Sequence, residues 1–327
     1  MALGEFELIA KYFTQHDRGE HVALGIGDDC ALVGSKEGHE LAITTDTLNE
    51  GIHFFKDTDP YLLGYRCLVV NLSDLAAMGA RPEFFTLSLT LPEAADSFLA
   101  GFSRGLFECA QKAGVALIGG NTTRGPLSVT ISAYGFVKKG CALLRSAAQP
   151  GDLLYVTGDL GMPGLYVEAG CGRIEVDKEV FSRMERLACT KECRAGFTAE
   201  LGEGGISRCA IDISDGLVGD LRHILERSGV SCKLYVDKLP LHGVFSEIAM
   251  NHKLSCDFAC FGGCDYEILF CVSPKKRGEL EELARSRGVP VTHIGLILPK
   301  GPEEIAALYN GEKLELEKQS FEHFYHH

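Results

Sequence analysis

Apolar residues in the first half of the chain follow two rhythms. Phe84 to Leu91 and the longer run Leu127 to Val137 alternate apolar with polar positions, as half-buried strands do, and Leu41 to Thr45 reads as a further strand ending on Asp46. Between them, Pro60 opens a helical stretch that runs through Met78, where Gly79 predicts a left-handed cap. Ala94 to Ala113 reads as a second helix, and Val115 to Ile118 as a short strand running into Gly119-Gly120-Asn121-Thr122. Ahead of these, Met1 to Phe13 reads as a short amphipathic helix rather than a signal peptide, with Phe6, Ile9, Ala10 and Phe13 on one face. Val22 to Val33 reads as a strand region broken by Gly25-Ile26-Gly27-Asp28-Asp29.

Pro150-Gly151-Asp152 is a turn between apolar runs and predicts a boundary dividing the chain into domains 1–149 and 150–327. The second half predicts strands at Leu153–Thr157, Cys209–Ile213, Cys232–Val236, Tyr266–Val272 and Val291–Leu298. Helical segments fill most of Gly164–Leu201, then Gly216–Ser228, a stretch near Val244–Met250, and Lys276–Arg287. Ser214 or Asp215 is placed to cap the helix from Gly216. Two halves of similar content predict two α+β domains packed together.

Composition narrows the function. With 327 residues and 46% apolar side chains the chain is long enough for two cored domains. A net charge of −13, without a long basic run, argues against nucleic acid or an anionic membrane as partner, and no apolar stretch is long enough to span a bilayer. The 13 cysteines include no CxxC pair and read as reduced, mostly buried small hydrophobes of a cytoplasmic protein. Cys256, Cys260 and Cys264 are spaced four apart, but Gly262-Gly263 interrupts any helix that would align them as a metal site.

Several familiar patterns fail. Gly101-Phe102-Ser103-Arg104-Gly105 spells the hydrolase GxSxG elbow but sits inside a helix pattern. Gly25-Ile26-Gly27 lacks the third glycine of a dinucleotide fingerprint, and there is no Walker loop or HExxH. Four aspartate-bearing segments remain: Gly27-Asp28-Asp29, Thr44-Thr45-Asp46, Asn71-Leu72-Ser73-Asp74 and Asp212-Ile213-Ser214-Asp215-Gly216. Carboxylates with hydroxyl neighbours at element ends suit a hard, oxygen-seeking cation, and phosphoryl transfer from a nucleotide is the chemistry that most often needs such a set. Singly, each has a plainer reading: Asp215 as a helix cap, Asp46 as a strand-end turn residue, Asp74 as a solvated helix position.

Together with their neighbours these segments resemble the thiamine-monophosphate kinase family along nearly the whole chain, from Gly4-Glu5-Phe6 to Phe321-Glu322-His323-Phe324. The resemblance is carried by Gly25 to Leu32, Thr44 to Leu48 with Glu50-Gly51-Ile52-His53-Phe54, and Asn71 to Ala80. Downstream it continues in Gly119 to Pro126, Ile211 to Leu217 and Gly262 to Phe270. It implies ATP- and Mg²⁺-dependent conversion of thiamine monophosphate to thiamine diphosphate. The fold implied is the two-domain α+β fold shared with aminoimidazole-ribonucleotide synthetase and selenophosphate synthetase, its N-terminal domains pairing in a homodimer. By position, Asp29, Thr44, Thr45, Asp46, Asp74, Asp212 and Asp215 would hold several Mg²⁺ ions. Gly120, Asn121, Arg145 and Ser214 would contact ATP, and His53, Cys264 and Phe321 the thiamine phosphate. A lone Arg145 would otherwise read as a surface ion pair, and a lone His53 as structural. Phe84–Leu91 and Leu127–Val137 are expected to need a partner because their strand edges would invite pairing. This chain departs from the family's pattern at Asn121, where Asp is usual, and at Cys264, where Glu is usual. An active kinase, a relative with another substrate, and a weakly active binding homologue all remain open.

Overall fold

The computed structural model describes residues 11–13, 22–24 and 32–316. The first-helix and turn expectations over 1–10 and 25–31, with Asp29, and also Phe321, fall outside these. The chain divides into two compact units, one of residues 1–75, 80–140 and 189–195, the other of 76–79, 141–188 and 196–327. Among the described residues no helix is long and apolar enough to cross a membrane.

The first unit is built on a four-stranded sheet in the order β3-β6-β4-β5, following a two-stranded pair β1 (Val22–Leu24) and β2 (Leu32–Val33). Its strands are β3 (His39–Asn49), β4 (Arg81–Leu91), β5 (Ala116–Arg124) and β6 (Ser128–Lys138); β4 runs parallel to β5 and the other pairs are antiparallel. The sequence expectation about edges is corrected here: β4 and β6 lie in the interior, and β3 and β5 are the outer strands. β5 also runs past Ile118 through the Gly-Gly-Asn-Thr segment, because parallel pairing to β4 supplies the backbone bonds that a low strand propensity would forgo. Gly120 permits this, since a Cβ there would overlap the Leu87 carbonyl oxygen.

Strand alternation gives this sheet two unlike faces. On one, Phe85, Leu87, Leu89, Val129 and Ile131 are buried. The helix Pro60–Ala77 lies against that face, where Thr44 Oγ1 donates to Asp74 Oδ2 at 2.5 Å. The other face carries cross-strand rows read from the register: Thr47, Thr130, Ser88 and Asn121; then Thr45, Ser132, Thr86 and Gly119; then Ile43, Tyr134, Phe84 and Ala116.

The helices Pro60–Ala77 and Asp96–Ala113 cross at backbone distance. A Cβ on Gly105 would overlap the Tyr61 carbonyl oxygen, and one on Gly64 that of Phe102. The GxSxG pattern is therefore a packing device, and Ser103 is buried with its hydroxyl donating to the Ala100 carbonyl at 3.4 Å.

The second unit holds a seven-stranded sheet in the order β13-β12-β9-β11-β7-β10-β8. Its strands are β7 (Leu153–Thr157), β8 (Ser207–Asp212), β9 (Val230–Tyr235), β10 (Ile268–Val272), β11 (Val291–Pro299), β12 (Ile305–Tyr309) and β13 (Glu312–Lys313). Leu217, Val218, Leu221, Ile224 and Leu225 of the helix Leu217–Ser228 pack with Cys256, Ala259 and Cys260 of the helix His252–Phe261 onto Val156, Ile211, Leu269 and Ile297. Burial of each large aliphatic side chain contributes roughly 1.5–3 kcal/mol. The helix His252–Phe261 is absent from the sequence reading, although Asn251 marks its start by accepting a 2.9 Å bond from the Lys253 amide. The stretch near Val244–Met250 keeps only one helical turn, Val244–Glu247.

Replacing Gly105 by Ala should lower stability by about 1–3 kcal/mol through overpacking, while Ser103→Ala should change activity little. Urea denaturation checks the first and a rate assay the second; a Gly105→Ala protein as stable as the parent would contradict the close helix crossing.

Candidate functional site

Because β10 runs antiparallel to both β7 and β8, its start lies at the same end of the sheet as their ends. Three segments therefore meet there: 157–161 after β7, 212–216 after β8 and 262–267 before β10. Backbone bonds join the last two: the amides of Cys264 and Tyr266 donate to the carbonyls of Ser214 (2.7 Å) and Ile213 (2.8 Å), and the Ile213 amide donates to Glu267 (2.9 Å). Buried carboxylates tie in the first. Asp265 Oδ1 accepts from the Gly161 amide at 2.9 Å, and Glu267 Oε2 from the Thr157 hydroxyl at 2.6 Å. The connection is so tight that Cys264 and Tyr266 sit at φ 59° and 50°, a region non-glycine residues enter at a cost of roughly 1–2 kcal/mol each.

Asp212 is buried at the end of β8, and Ser214 and Asp215 are half-buried just beyond it. The expected cap by Ser214 or Asp215 is corrected: Gly216 occupies the N-cap and no side chain caps the helix Leu217–Ser228. Asp220, within the helix, instead reaches back, and its Oδ2 accepts from the amides of Ser214 (3.0 Å) and Asp215 (3.1 Å). Asp220 is 3% exposed. Burial first, and then the Asp215 charge, push its carboxyl up to about 7, against the two amide bonds and the Arg145 guanidinium, which pull it down. Arg145 is exposed, and its carbonyl accepts from Ser228 Oγ at 2.8 Å, so the segment carrying it is anchored to the same helix.

In the first unit, Thr44 and Asp46 share one face of β3 and meet the helix Pro60–Ala77. The Asp46 amide donates to Asn71 Oδ1 at 3.0 Å, and Asn71 Nδ2 donates to the Cys67 carbonyl at 3.0 Å. Thr45 points to the opposite face, where its hydroxyl pairs with Ser132 Oγ at 2.8 Å. Asn121 lies exposed on that face too, across from Ser88, whereas Gly120 lies in the row of Asp46, Ile131 and Leu87. His53 Nδ1 accepts from the Asn49 amide at 3.0 Å.

The AIR synthase related protein N-terminal domain family matches residues 27–137, and the corresponding C-terminal domain family matches 149–306. The thiamine-monophosphate kinase of Haemophilus influenzae is 41% identical over 329 residues, covering 99% of each chain. The chain belongs to the thiamine-monophosphate kinase family. The crystal structure of that kinase from Stenotrophomonas maltophilia K279a matches with a TM-score of 0.81 at 36% identity, over 96% of this chain and 99% of that one. AaThiL complexed with AMPPCP and TMP matches with a TM-score of 0.75 at 28% identity, over 91% and 92%.

Each unit offers residues of the kind a hard cation takes. In the first unit Thr44, Asp46 and Asp74 offer oxygen alone; in the second Asp212 and Asp215 do, and there Asp215 opposes the ionisation of Asp220, a repulsion that a cation would relieve. Among the described residues no three His, Cys, Asp or Glu side chains converge on one metal position. Mg²⁺ does not require that, since it is held by one or two carboxylates with substrate phosphates and water. Cys256 and Cys260 are core residues: burial pushes the Cys256 thiol up to about 11, and it donates to the Val236 carbonyl at 3.4 Å.

The sequence reading missed Asp220, Asp265 and Glu267. For Asp220 the signal was an acidic residue on the helix face that Leu217, Leu221 and Ile224 make apolar; Asp265, in the loop before β10, carries no such signal. The left-handed backbone of Cys264 gives a direct check. Cys264→Asn should be tolerated, whereas Cys264→Val should cost about 1 kcal/mol more in urea denaturation. Equal stability of the two variants would contradict the φ of 59°.

Proposed function

We propose that this chain transfers the γ-phosphoryl group of ATP to thiamine monophosphate, giving thiamine diphosphate and ADP. The observation that carries this is its full-length likeness to thiamine-monophosphate kinases, with AaThiL complexed with AMPPCP and TMP among its structural neighbours. The acceptor phosphate has a second pKa of about 6, so it is largely dianionic at neutral pH and needs no general base to attack. What opposes reaction is repulsion between two polyanions. The protein's work is therefore to position them in line and keep the arrangement fixed.

Arg145 and the backbone around Gly120, Asn121 and Ser214 are suited to hold the nucleotide. His53, Cys264 and Phe321 would contact the thiamine phosphate. Asp29, Thr44, Asp46, Asp74, Asp212 and Asp215 would hold the magnesium ions; Thr45, expected among them, turns its side chain to the opposite face of β3 and is left out. Magnesium, when bound, neutralises polyphosphate charge and orients the phosphates for in-line attack. In this reading residues 1–149 bind metal and nucleotide and dimerise, 150–327 form the second domain, and the enzyme is cytoplasmic. A second reading, a homologue that binds these ligands with little turnover, draws on Asn121 and Cys264, each lacking a carboxylate usual in the family.

Incubating the purified chain with ATP, Mg²⁺ and thiamine monophosphate, and separating products chromatographically, should reveal thiamine diphosphate. Asp212→Ala should abolish it with the circular dichroism spectrum unchanged. Binding of both ligands without product would favour the second reading, and a parental rate in Asp212→Ala would remove Asp212 from the machinery.

The homodimer rests on the first unit's sheet. Leu41 and Ile43, 47% and 62% exposed, sit in the rows of Phe136 and Tyr134. With the hydroxyl rows beside them, they form a broad sheet face suited to a second copy of itself. Sedimentation velocity at micromolar concentration should give a dimer, and Ile43→Arg should shift it to monomer. A parent protein that is wholly monomeric, or a variant that stays dimeric, would count against this face.

A further inference from the structure

Asp220 stands apart from the aspartates read as ligands. It is nearly fully buried, it belongs to the helix Leu217–Ser228 rather than to the loop, and its Oδ2 is already committed to the amides of Ser214 and Asp215. Those two bonds span the segment that turns from β8 into the helix. That segment contains no cap of its own, because Gly216 at the N-cap offers no side chain. The Asp220 amide closes the ring by donating to the Gly216 carbonyl at 3.0 Å. One buried carboxylate therefore fixes both the loop and the first turn of the helix.

We propose that Asp220 is a positioning residue for phosphoryl transfer, holding the Ser214–Asp215 backbone so that these two side chains face the nucleotide and its cation. This rests on the kinase reading above. In this proposal Asp220 acts through the backbone it holds, not on either ligand directly. A carboxylate whose acceptor is taken up by two backbone amides is suited to orient others. Reactive geometry is sensitive to such support, since a displacement near 1 Å can lower a rate about a hundredfold. What the loop requires is an acceptor oxygen at that place, not a negative charge, so the isosteric amide should serve nearly as well.

Two variants test this, each read in two ways. Amide hydrogen exchange on the ligand-free protein reports whether Ser214 and Asp215 remain protected, and steady-state kinetics separates kcat from KM. Asp220→Asn should keep both amides protected and kcat within about threefold of the parent. Asp220→Ala, assayed below its melting temperature, should exchange those amides about tenfold faster or more. Its kcat should fall about thirtyfold or more, with a smaller change in KM for thiamine monophosphate. If Asp220→Ala does not fold, Asp220→Asn alone decides. An Asn variant as impaired as a knockout would overturn the proposal, because charge rather than acceptor placement would be at work. An Ala variant that is merely less stable, with protected amides and parental kcat, would overturn it as well. If the parent forms no thiamine diphosphate, the kinase reading fails, and amide exchange still decides whether Asp220 holds the loop.

Discussion

Carboxylates repel one another, and this chain gathers Asp212, Asp215, Asp220, Asp265 and Glu267 around strand ends of one sheet. The fold is possible because several of these acids are given backbone or hydroxyl donors. Asp220 takes two amides, Asp265 takes that of Gly161, and Glu267 takes the Thr157 hydroxyl. Hydrogen bonds to a charged group contribute roughly 1.5–3 kcal/mol each, enough to offset part of the cost of burial. Acids satisfied this way serve as framework for the segment that carries Asp212 and Asp215. The strained turns at Cys264 and Tyr266 follow from the same arrangement, since three segments are drawn to one end of the sheet.

The first unit solves a simpler version of the problem. Its acids lie at the meeting of one strand and one helix, where the Thr44 hydroxyl and Asn71 amide orient Asp74 and the backbone at Asp46. Asn71, fully buried and bonded both to its own helix and to β3, is what makes helix and strand share one register at this place.

Much of the scaffold was legible because strand alternation and helical spacing are local. Phe84–Leu91 and Leu127–Val137 were found as strands, and Pro60 to Gly79 as a helix with its cap. What depended on pairing partners was not legible. β5 continues through glycines because β4 lies alongside, and β12 exists because Ile305–Tyr309 finds β9 in parallel. The site divides the same way. Aspartates beside glycines and hydroxyls announced themselves, Asp220 showed only as an acid on the apolar face of its helix, and Asp265 is visible only once burial and bonding are known. Alternation alone separates Thr45 from Thr44 and Asp46, so that distinction was available from sequence and went undrawn.

The central claim is that the chain positions two phosphates for direct transfer and that none of its side chains takes up the phosphoryl group on the way. The stereochemical course tests this most directly. ATP made chiral at its γ-phosphorus with sulfur and oxygen isotopes would be turned over with thiamine monophosphate, and the configuration of the transferred group determined by phosphorus NMR. Direct in-line transfer gives inversion. Retention would mean two successive displacements through a phosphorylated side chain, and would contradict the account.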